Sequence, residues 1–339
     1  MRAIVCHTFG PYQDLHAQPF APPELAPQSV LIDVHAAGLS FAISLFVSGR
    51  YQRKPPRPFV PGTEAAGVVR AVAPDVRRFR PGDRVVATLD WGGLAGIACA
   101  HEATVQPLSD GLDFAEATTF AASYPTSLAA LTWRGRLQAG ETLLVHGAAG
   151  GVGSAAVELG KALGARVIAV VSTKAKADHL EAISAPHDII IAAEGGFYQQ
   201  VRTLTQGRGA DVIFEPVGGD VLTESLRCIA PGGRLLTIGY AGGTIPQVPA
   251  NILLVKNASV MGFALGEYVG WGLTDERKRY AADMAALHER LRGWFEAGVL
   301  HPHVSHRYGL EGFVEGMDAI FAREVRGKAV IEMRTSDRA

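Results

Sequence analysis

The 339 residues exceed what one ordinary core packs and suit two domains of common size. With 48% hydrophobic residues, 19% charged residues and 39 glycines, the chain has the balance of a globular protein rich in turns, which excludes a disordered one. A net charge of −1 and a pI near 6.8, without any block of Lys or Arg, leave no field to hold a polyanion, so nucleic acid is set aside as a partner.

The first ten residues carry no extended apolar core behind Arg2, and no run of 18 uncharged apolar residues occurs anywhere, so no membrane contact and a cytoplasmic location are expected. Cys6, Cys99 and Cys228 are few, odd in number and far apart, which fits neither a disulfide framework nor a four-cysteine zinc lobe and reads as a reducing compartment. From the N-terminus to about Leu108, short β-rich runs at 3–5, 29–36, 67–72 and 84–87 are cut by turns such as Pro61-Gly62 and Pro81-Gly82. That pattern predicts a compact, partly barrel-like β domain.

Residues 114–137 are Ala-rich and predict a helical stretch broken at Pro125, a hinge region. Strands and helices then alternate: strand 142–146, helix 152–163, strand 166–171, helix 174–183, strand 188–191, helix 197–205, strand 211–215, helix 221–228 and strand 234–239. Alternation at this spacing means βαβ units, hence an α/β, doubly wound parallel sheet of Rossmann type with helices on both faces. A further apolar run at 259–265 reads as the last strand, 275–297 as a charged amphipathic helix, and 328–332 as a β tail that rejoins the first domain and makes it discontinuous.

The strand at 142–146 runs directly into Gly147-Ala148-Ala149-Gly150-Gly151-Val152-Gly153, and this turn opens a helix. Small residues at Ala148 and Gly150 let the backbone reach a pyrophosphate, which then sits at the helix N-terminus with Gly151 and Val152, while Gly153 permits close packing. Ala148 stands where the first glycine of G-x-G-x-x-G is usual, so the match is a variant. At the end of the second strand an acid would bind the ribose 2′-OH of NAD; this chain has Ser172-Thr173-Lys174-Ala175-Lys176, whose hydroxyls and ammonium groups suit a 2′-phosphate. NADPH is therefore the expected cofactor, although Ser is also a common N-cap.

Segments Gly49-Arg50-Tyr51-Gln52, Pro61-Gly62-Thr63-Glu64-Ala65-Ala66-Gly67, Arg80-Pro81-Gly82-Asp83-Arg84-Val85, the glycine turn, Pro216-Val217-Gly218-Gly219, Pro231-Gly232-Gly233-Arg234 and Gly327-Lys328 together resemble the medium-chain dehydrogenase/reductase superfamily. The resemblance is to its zinc-free quinone oxidoreductase branch, the zeta-crystallin-like enzymes, and covers nearly the whole chain. It implies a GroES-like β domain built from both chain ends, residues 1–123 and 264–339, around a Rossmann domain at 124–263, with the active site in the cleft between them. Zinc alcohol dehydrogenases of the superfamily carry a Cys after a Gly and a Gly-His-Glu triplet. The matching stretches here read Gly38-Leu39-Ser40 and Gly62-Thr63-Glu64, so both ligands are missing and no metal is expected. His301, His303 and His306 read as solvated loop or strand histidines, since no carboxylate flanks them.

The resemblance further implies that Tyr51, Ser40 and Thr126 surround the reacting cleft, with Thr126 near the nicotinamide or ribose, Gly239 beside the cofactor, and Lys176, Ser172 and Arg323 at the 2′-phosphate. Tyr51 is the candidate to hydrogen-bond the acceptor oxygen or help deliver a proton; a tyrosine that packs the cleft wall is the competing reading. Relatives often read Asn-Phe-x-Asp where this chain has Ser40-Phe41-Ala42-Ile43, and often carry a Tyr where it has Ile189-Ile190-Ile191-Ala192. Asn251 and Lys256-Asn257 fall in a segment read as a loop, either near the cofactor or solvated. The expected activity is hydride transfer from NADPH to a quinone. Reduction of an enal, enone or enoyl double bond is the alternative, and a non-catalytic NADPH-binding structural or RNA-binding role is the third. A homodimer through the sheet-edge strand is expected.

Overall fold

The computed structural model describes residues 1–192 and 196–339, which divide into two compact units. The first comprises Met1–Ala122, Gly266–Glu296 and Pro302–Ala339; the second, Ser123–Leu265 with Ala297–His301. The expected boundary at 264 made no provision for this short 297–301 return.

The N-terminal segment pairs β1 (Arg2–Ile4) with β2 (Ala17–Pro19) and then lays down β3 (Ser29–Leu39), helix α1 (Phe41–Val47), β4 (Glu64–Val72), β5 (Arg84–Thr88), β6 (Ile97–His101) and β7 (Val105–Pro107). The long β3 is the hub: antiparallel to β4 along most of its length, it also takes β6 at its start. Its pairing skips at Leu31/Ile32 and Val34/Ala36, irregularities of the kind that bend a sheet toward a barrel. Ile32, Val34, Val69, Val85, Leu89 and Val105 fill the interior of this unit. Strand β4 begins at Glu64, three residues before the predicted start at 67, because Glu64 to Ala66 pair with Thr88 to Val86.

After α2 (Phe114–Ala117), capped by the Asp113 carboxylate, the chain enters α3 (Ser123–Ala129). Pro125 does not break a helix here. It is the third residue of α3, in the first turn, where backbone N–H groups lack an intrahelical acceptor anyway.

The second unit then alternates as predicted: β8 (Thr142–Val145), α4 (Gly151–Ala162), β9 (Arg166–Val171), α5 (Lys174–Ile183), β10 (Asp188–Ile191), α6 (Phe197–Leu204), β11 (Ala210–Glu215), α7 (Gly219–Ser225), β12 (Ile229–Thr237), α8 (Ala250–Lys256) and β13 (Ser259–Gly262). The sheet is parallel throughout, in the order β10-β9-β8-β11-β12-β13. Successive crossovers run outward from β8 in one direction and from β11 in the other. Right-handed connections therefore put the helices on opposite faces. The order reverses between β8 and β11, and the crevice outside the carboxyl ends of these two strands is where such sheets take ligands. Helix α8 occupies the segment containing Asn251 and Lys256, where the sequence reading expects a loop, and Lys256 Nζ donates to the carbonyls of Leu226, Arg227 and Ile229.

The chain returns to the first unit with α9 (Ala281–Glu296), which starts later than the predicted 275 because Asp275 and Arg277 are spent on a loop ion cluster with Asp90. Strand β14 (Val304–Gly309), helix α10 (Phe313–Phe321) and β15 (Lys328–Glu332) follow. The tail β15 pairs antiparallel with β3, joining both chain ends in one sheet. No helix among the described residues is long and apolar enough to cross a membrane.

Candidate functional site

Strand β8 is apolar and fully buried through Leu143, Leu144 and Val145, and it delivers the chain to the carboxyl edge of the sheet at the switch point. Gly147 turns the chain there with φ of 57°, a conformation L side chains rarely adopt. This explains the variant motif. The turn needs its glycine at 147, while Ala148 is buried with its N–H donating to Val170 O at 3.2 Å. Gly153 meets a second demand: a Cβ there would lie 2.1 Å from Gly147 O, so the first turn of α4 presses directly on the glycine turn.

Gly150 is the N-cap of α4 and supplies no side-chain cap, so the N–H groups of Gly151, Val152 and Gly153 are left to an external acceptor at the positive end of the helix. This is the structural test for a dinucleotide, and the turn fits a pyrophosphate. The neighbouring strand ends close the cradle. Pro216 and Val217, at the end of β11, lie beside Gly147, and Gly239 follows β12 at the same edge.

The sequence reading missed two residues that hold this cradle. Ser127 Oγ donates to Val152 O at 2.7 Å, anchoring α3 on the first turn of α4 and fixing the position of Thr126, the preceding residue, which is partly exposed. Glu215 is fully buried at the end of β11 and its carboxylate accepts from Val217 N at 2.7 Å and Gly218 N at 3.0 Å. Burial raises its pKa, against those two backbone hydrogen bonds. An acid closing the apolar run Val212 to Phe214 was the available signal for Glu215; nothing local marked Ser127.

At the end of β9 the competing readings of Ser172 separate. Thr173, not Ser172, caps α5, its Oγ1 accepting from Lys176 N at 3.3 Å. Ser172 is therefore not spent as a cap, and Lys176 Nζ lies 3.3 Å from its hydroxyl, so an ammonium and a hydroxyl stand together where the strand ends. Lys174 instead pairs with Asp178 at 2.7 Å. Arg323 belongs to the first unit, exposed just past α10 with φ of 59°.

In the first unit, Ser40 and Tyr51 stand near opposite ends of α1, a helix spanning about 10 Å. Ser40 is the N-cap residue, but its side chain makes no cap bond. The backbone N–H of Tyr51 bonds Leu45 O at 3.0 Å, and its ring stacks on Phe46 with centroids 4.1 Å apart. Burial pushes the Tyr51 phenol above its usual pKa, against a hydrogen bond with Gln52, so it keeps its proton at neutral pH. The β3–β4 register pairs Ala37 with Ala65, which sets Ser40 and Thr63 at the same end of the two strands. Thr63 is buried, and its neighbour Glu64 is engaged by Lys328 Nζ at 2.5 Å. The donor set at this position is two neutral hydroxyls and a carboxylate already neutralised, which does not fit zinc.

A family model described as the alcohol dehydrogenase GroES-like domain matches residues 26–124, and one described as zinc-binding dehydrogenase matches residues 151–286. The chain is 37% identical over 339 residues to quinone oxidoreductase-like protein 2 homolog of Nematostella vectensis, covering 98% of this chain and 89% of the relative. It is 31% identical over 322 residues to quinone oxidoreductase of Homo sapiens, covering 94% of each. Among solved structures, the Escherichia coli quinone oxidoreductase complexed with NADPH superposes with a TM-score of 0.86 at 26% identity, covering 98% of this chain and 100% of the other.

Proposed function

The chain belongs to the quinone oxidoreductase branch of the medium-chain dehydrogenase/reductase superfamily, and on that premise we propose that it reduces a quinone without the help of zinc. It is an NADPH-dependent oxidoreductase, and NADPH when bound supplies the hydride from nicotinamide C4. The N–H groups of Gly151, Val152 and Gly153, with Ala148 and Gly150 shaping the approach, would hold the pyrophosphate. Ser172 and Lys176 would hold the 2′-phosphate. Thr126 and Gly239 would flank the nicotinamide half.

The observation that carries the acceptor class is the donor set at Ser40, Thr63 and Glu64. Zinc catalysis needs three protein ligands and an open position, and neutral hydroxyls do not supply them. Without a Lewis acid the acceptor must already be electrophilic. A quinone meets that requirement, since hydride addition places charge on an oxygen that one hydrogen-bond donor can stabilise. Tyr51, whose phenol burial pushes further above its usual pKa, is proposed as that donor, with Ser40 lining the same wall.

The same electrophilicity argument admits a conjugated enone, so the test compares the two directly. Steady-state oxidation of NADPH with 1,4-benzoquinone and with a simple enone, each before and after treatment with a strong chelator, should give the larger kcat/KM for the quinone and no change on chelation. A larger kcat/KM for the enone would move the assignment to double-bond reduction. Loss of activity on chelation would overturn the zinc-free mechanism, and no turnover of either acceptor would leave only cofactor binding.

We further propose a homodimer formed through β13. This strand pairs with β12 on one side, and no described strand covers its other edge. Nearby α8 presents Leu254 and Val255 at 79% and 80% exposure, apolar surface suited to burial against a second copy.

A further inference from the structure

Helix α4 borders a cavity at its far end. Its N-terminus forms the cofactor cradle, while Glu158 and the turn beyond it lie roughly 10 Å along the axis, at the opposite edge of the sheet. There the C-terminal turns of α4 and α5 and the returning segment at 297–301 enclose a cavity of about 390 Å³, within the range of small-molecule sites.

Glu158 forms one wall of this cavity and is 6% exposed. Its Oε2 accepts from Tyr124 Oη at 2.6 Å and from the backbone N–H of His301 at 3.2 Å, which leaves Oε1 for the cavity. Ser184, another wall residue, is 7% exposed, and its Oγ is buried without a hydrogen-bond partner. Glu181 stands at the rim. The cation of the cavity, Lys161, is already spent: its Nζ donates to the carbonyls of Ser184 at 2.5 Å and Ala185 at 2.8 Å. Acceptors therefore outnumber available donors, and two helix C-termini add partial negative charge. Ala182, Ile183 and Val299 supply apolar surface beside them.

We propose that this cavity binds a small primary ammonium compound, its N–H groups donating to Glu158 and its carbon chain against Ile183 and Val299. The site is separate from the dinucleotide cradle. A desolvated carboxyl with one bonded oxygen makes the site responsive to protons as well. Burial raises the Glu158 pKa to about 7, with Tyr124, the His301 amide and Lys161 opposing, so binding of the cation draws a proton off Glu158.

The probe is n-butylammonium, with n-butanol as the neutral control, titrated calorimetrically into the full-length protein at pH 6 and pH 8. Saturable binding of the ammonium and not the alcohol is expected, roughly tenfold tighter at pH 8, following the ionised fraction of Glu158. His301→Gln should retain that pH dependence, which would place it on Glu158 and not on the imidazole. Glu158→Gln should abolish binding, and Ala182→Trp, made at an exposed position that does not endanger folding, should block it sterically. Binding should persist with saturating NADPH. Absence of saturable binding, equal affinity in Glu158→Gln or Ala182→Trp, loss of the pH dependence in His301→Gln, or displacement by NADPH would each overturn the proposal.

Discussion

Lys328 and Glu64 meet inside the first unit as an ion pair, Nζ to Oε2 at 2.5 Å, with side chains only 5% and 3% exposed. The approach is close in distance but oblique in angle, a Coulombic contact more than a hydrogen bond. The pair links β15 to β4 across β3, and β3 accommodates it only because residue 38 is glycine: a Cβ there would lie 2.4 Å from Glu64 Oε2. Lys328→Met strands a buried carboxylate and should cost roughly 3–5 kcal/mol, whereas Lys328→Met combined with Glu64→Leu should recover most of that loss. Chemical unfolding of the two variants measures the difference. Equal destabilisation of single and double variants would show that packing, not charge, dominates.

The Tyr51 ring is held against Phe46 by stacking, so removing its hydroxyl should leave the wall intact. Tyr51→Phe should lower kcat by about 10²-fold, the lower range for proton donation, with the dissociation constant of NADPH unchanged. Stopped-flow hydride transfer together with fluorescence titration of the cofactor checks both halves. Unchanged kcat would reduce Tyr51 to a packing residue.

The features legible in sequence were those with short-range causes. Strand, glycine turn and helix follow one another from Thr142 to Ala162, so local pattern alone placed the glycine turn at the head of α4. Pro125 misled because a helix break and a helix start use the same residue, and only the position of α3 distinguishes them. The late start of α9 followed from Arg277, which reaches back to Asp90 at 2.7 Å. The partnership of Lys328 with Glu64, the Ser127 tie to Val152 and the capping role of Lys256 all depend on segments distant in sequence. Both partners were visible; their meeting was not. Ser172 is intermediate, since its residue type suggested two uses and Thr173, the cap of α5, removes one of them.

The Ser172–Lys176 pair should set the choice between NADPH and NADH, because a charge-assisted contact to the 2′-phosphate is absent with NADH. Lys176→Ala should narrow the preference by about 10-fold or more, the equivalent of one charged hydrogen bond of roughly 1.5–3 kcal/mol, and should act on NADPH alone. Titration of both cofactors against both proteins gives the four dissociation constants. A parallel loss for NADH would place Lys176 elsewhere on the cofactor or in the folding of α5.

Charge placed on α8 tests the assembly. Leu254→Glu with Val255→Glu alters two side chains that contribute nothing to the interior of a single chain, so monomer folding should be unaffected. Light scattering should show the mass fall from two chains to one. A mass of one chain in the unaltered protein would refute pairing through β13.

Two buried groups in the second unit give its stability opposite pH dependences. His146 is fully buried, its Nε2 2.8 Å from Ser225 Oγ, and burial pushes its pKa from 6.5 to about 3. Between those values the unfolded chain holds one proton more, so stability rises with pH. Glu158 is pushed from 4.5 up to about 7; between those values the folded chain holds the extra proton, and stability falls as pH rises. The two slopes, each about 1.4 kcal/mol per pH unit, oppose one another between pH 4.5 and 6.5, with Glu215, whose pKa burial also raises, adding to the Glu158 side. Glu158→Gln removes one of the opposing slopes, so the dependence of stability on pH over that interval should become more positive by about 1.4 kcal/mol per pH unit. Amide exchange of β8 and α4 measures the slope in both proteins; an unchanged slope in Glu158→Gln would mean that Glu158 does not hold its proton in the fold.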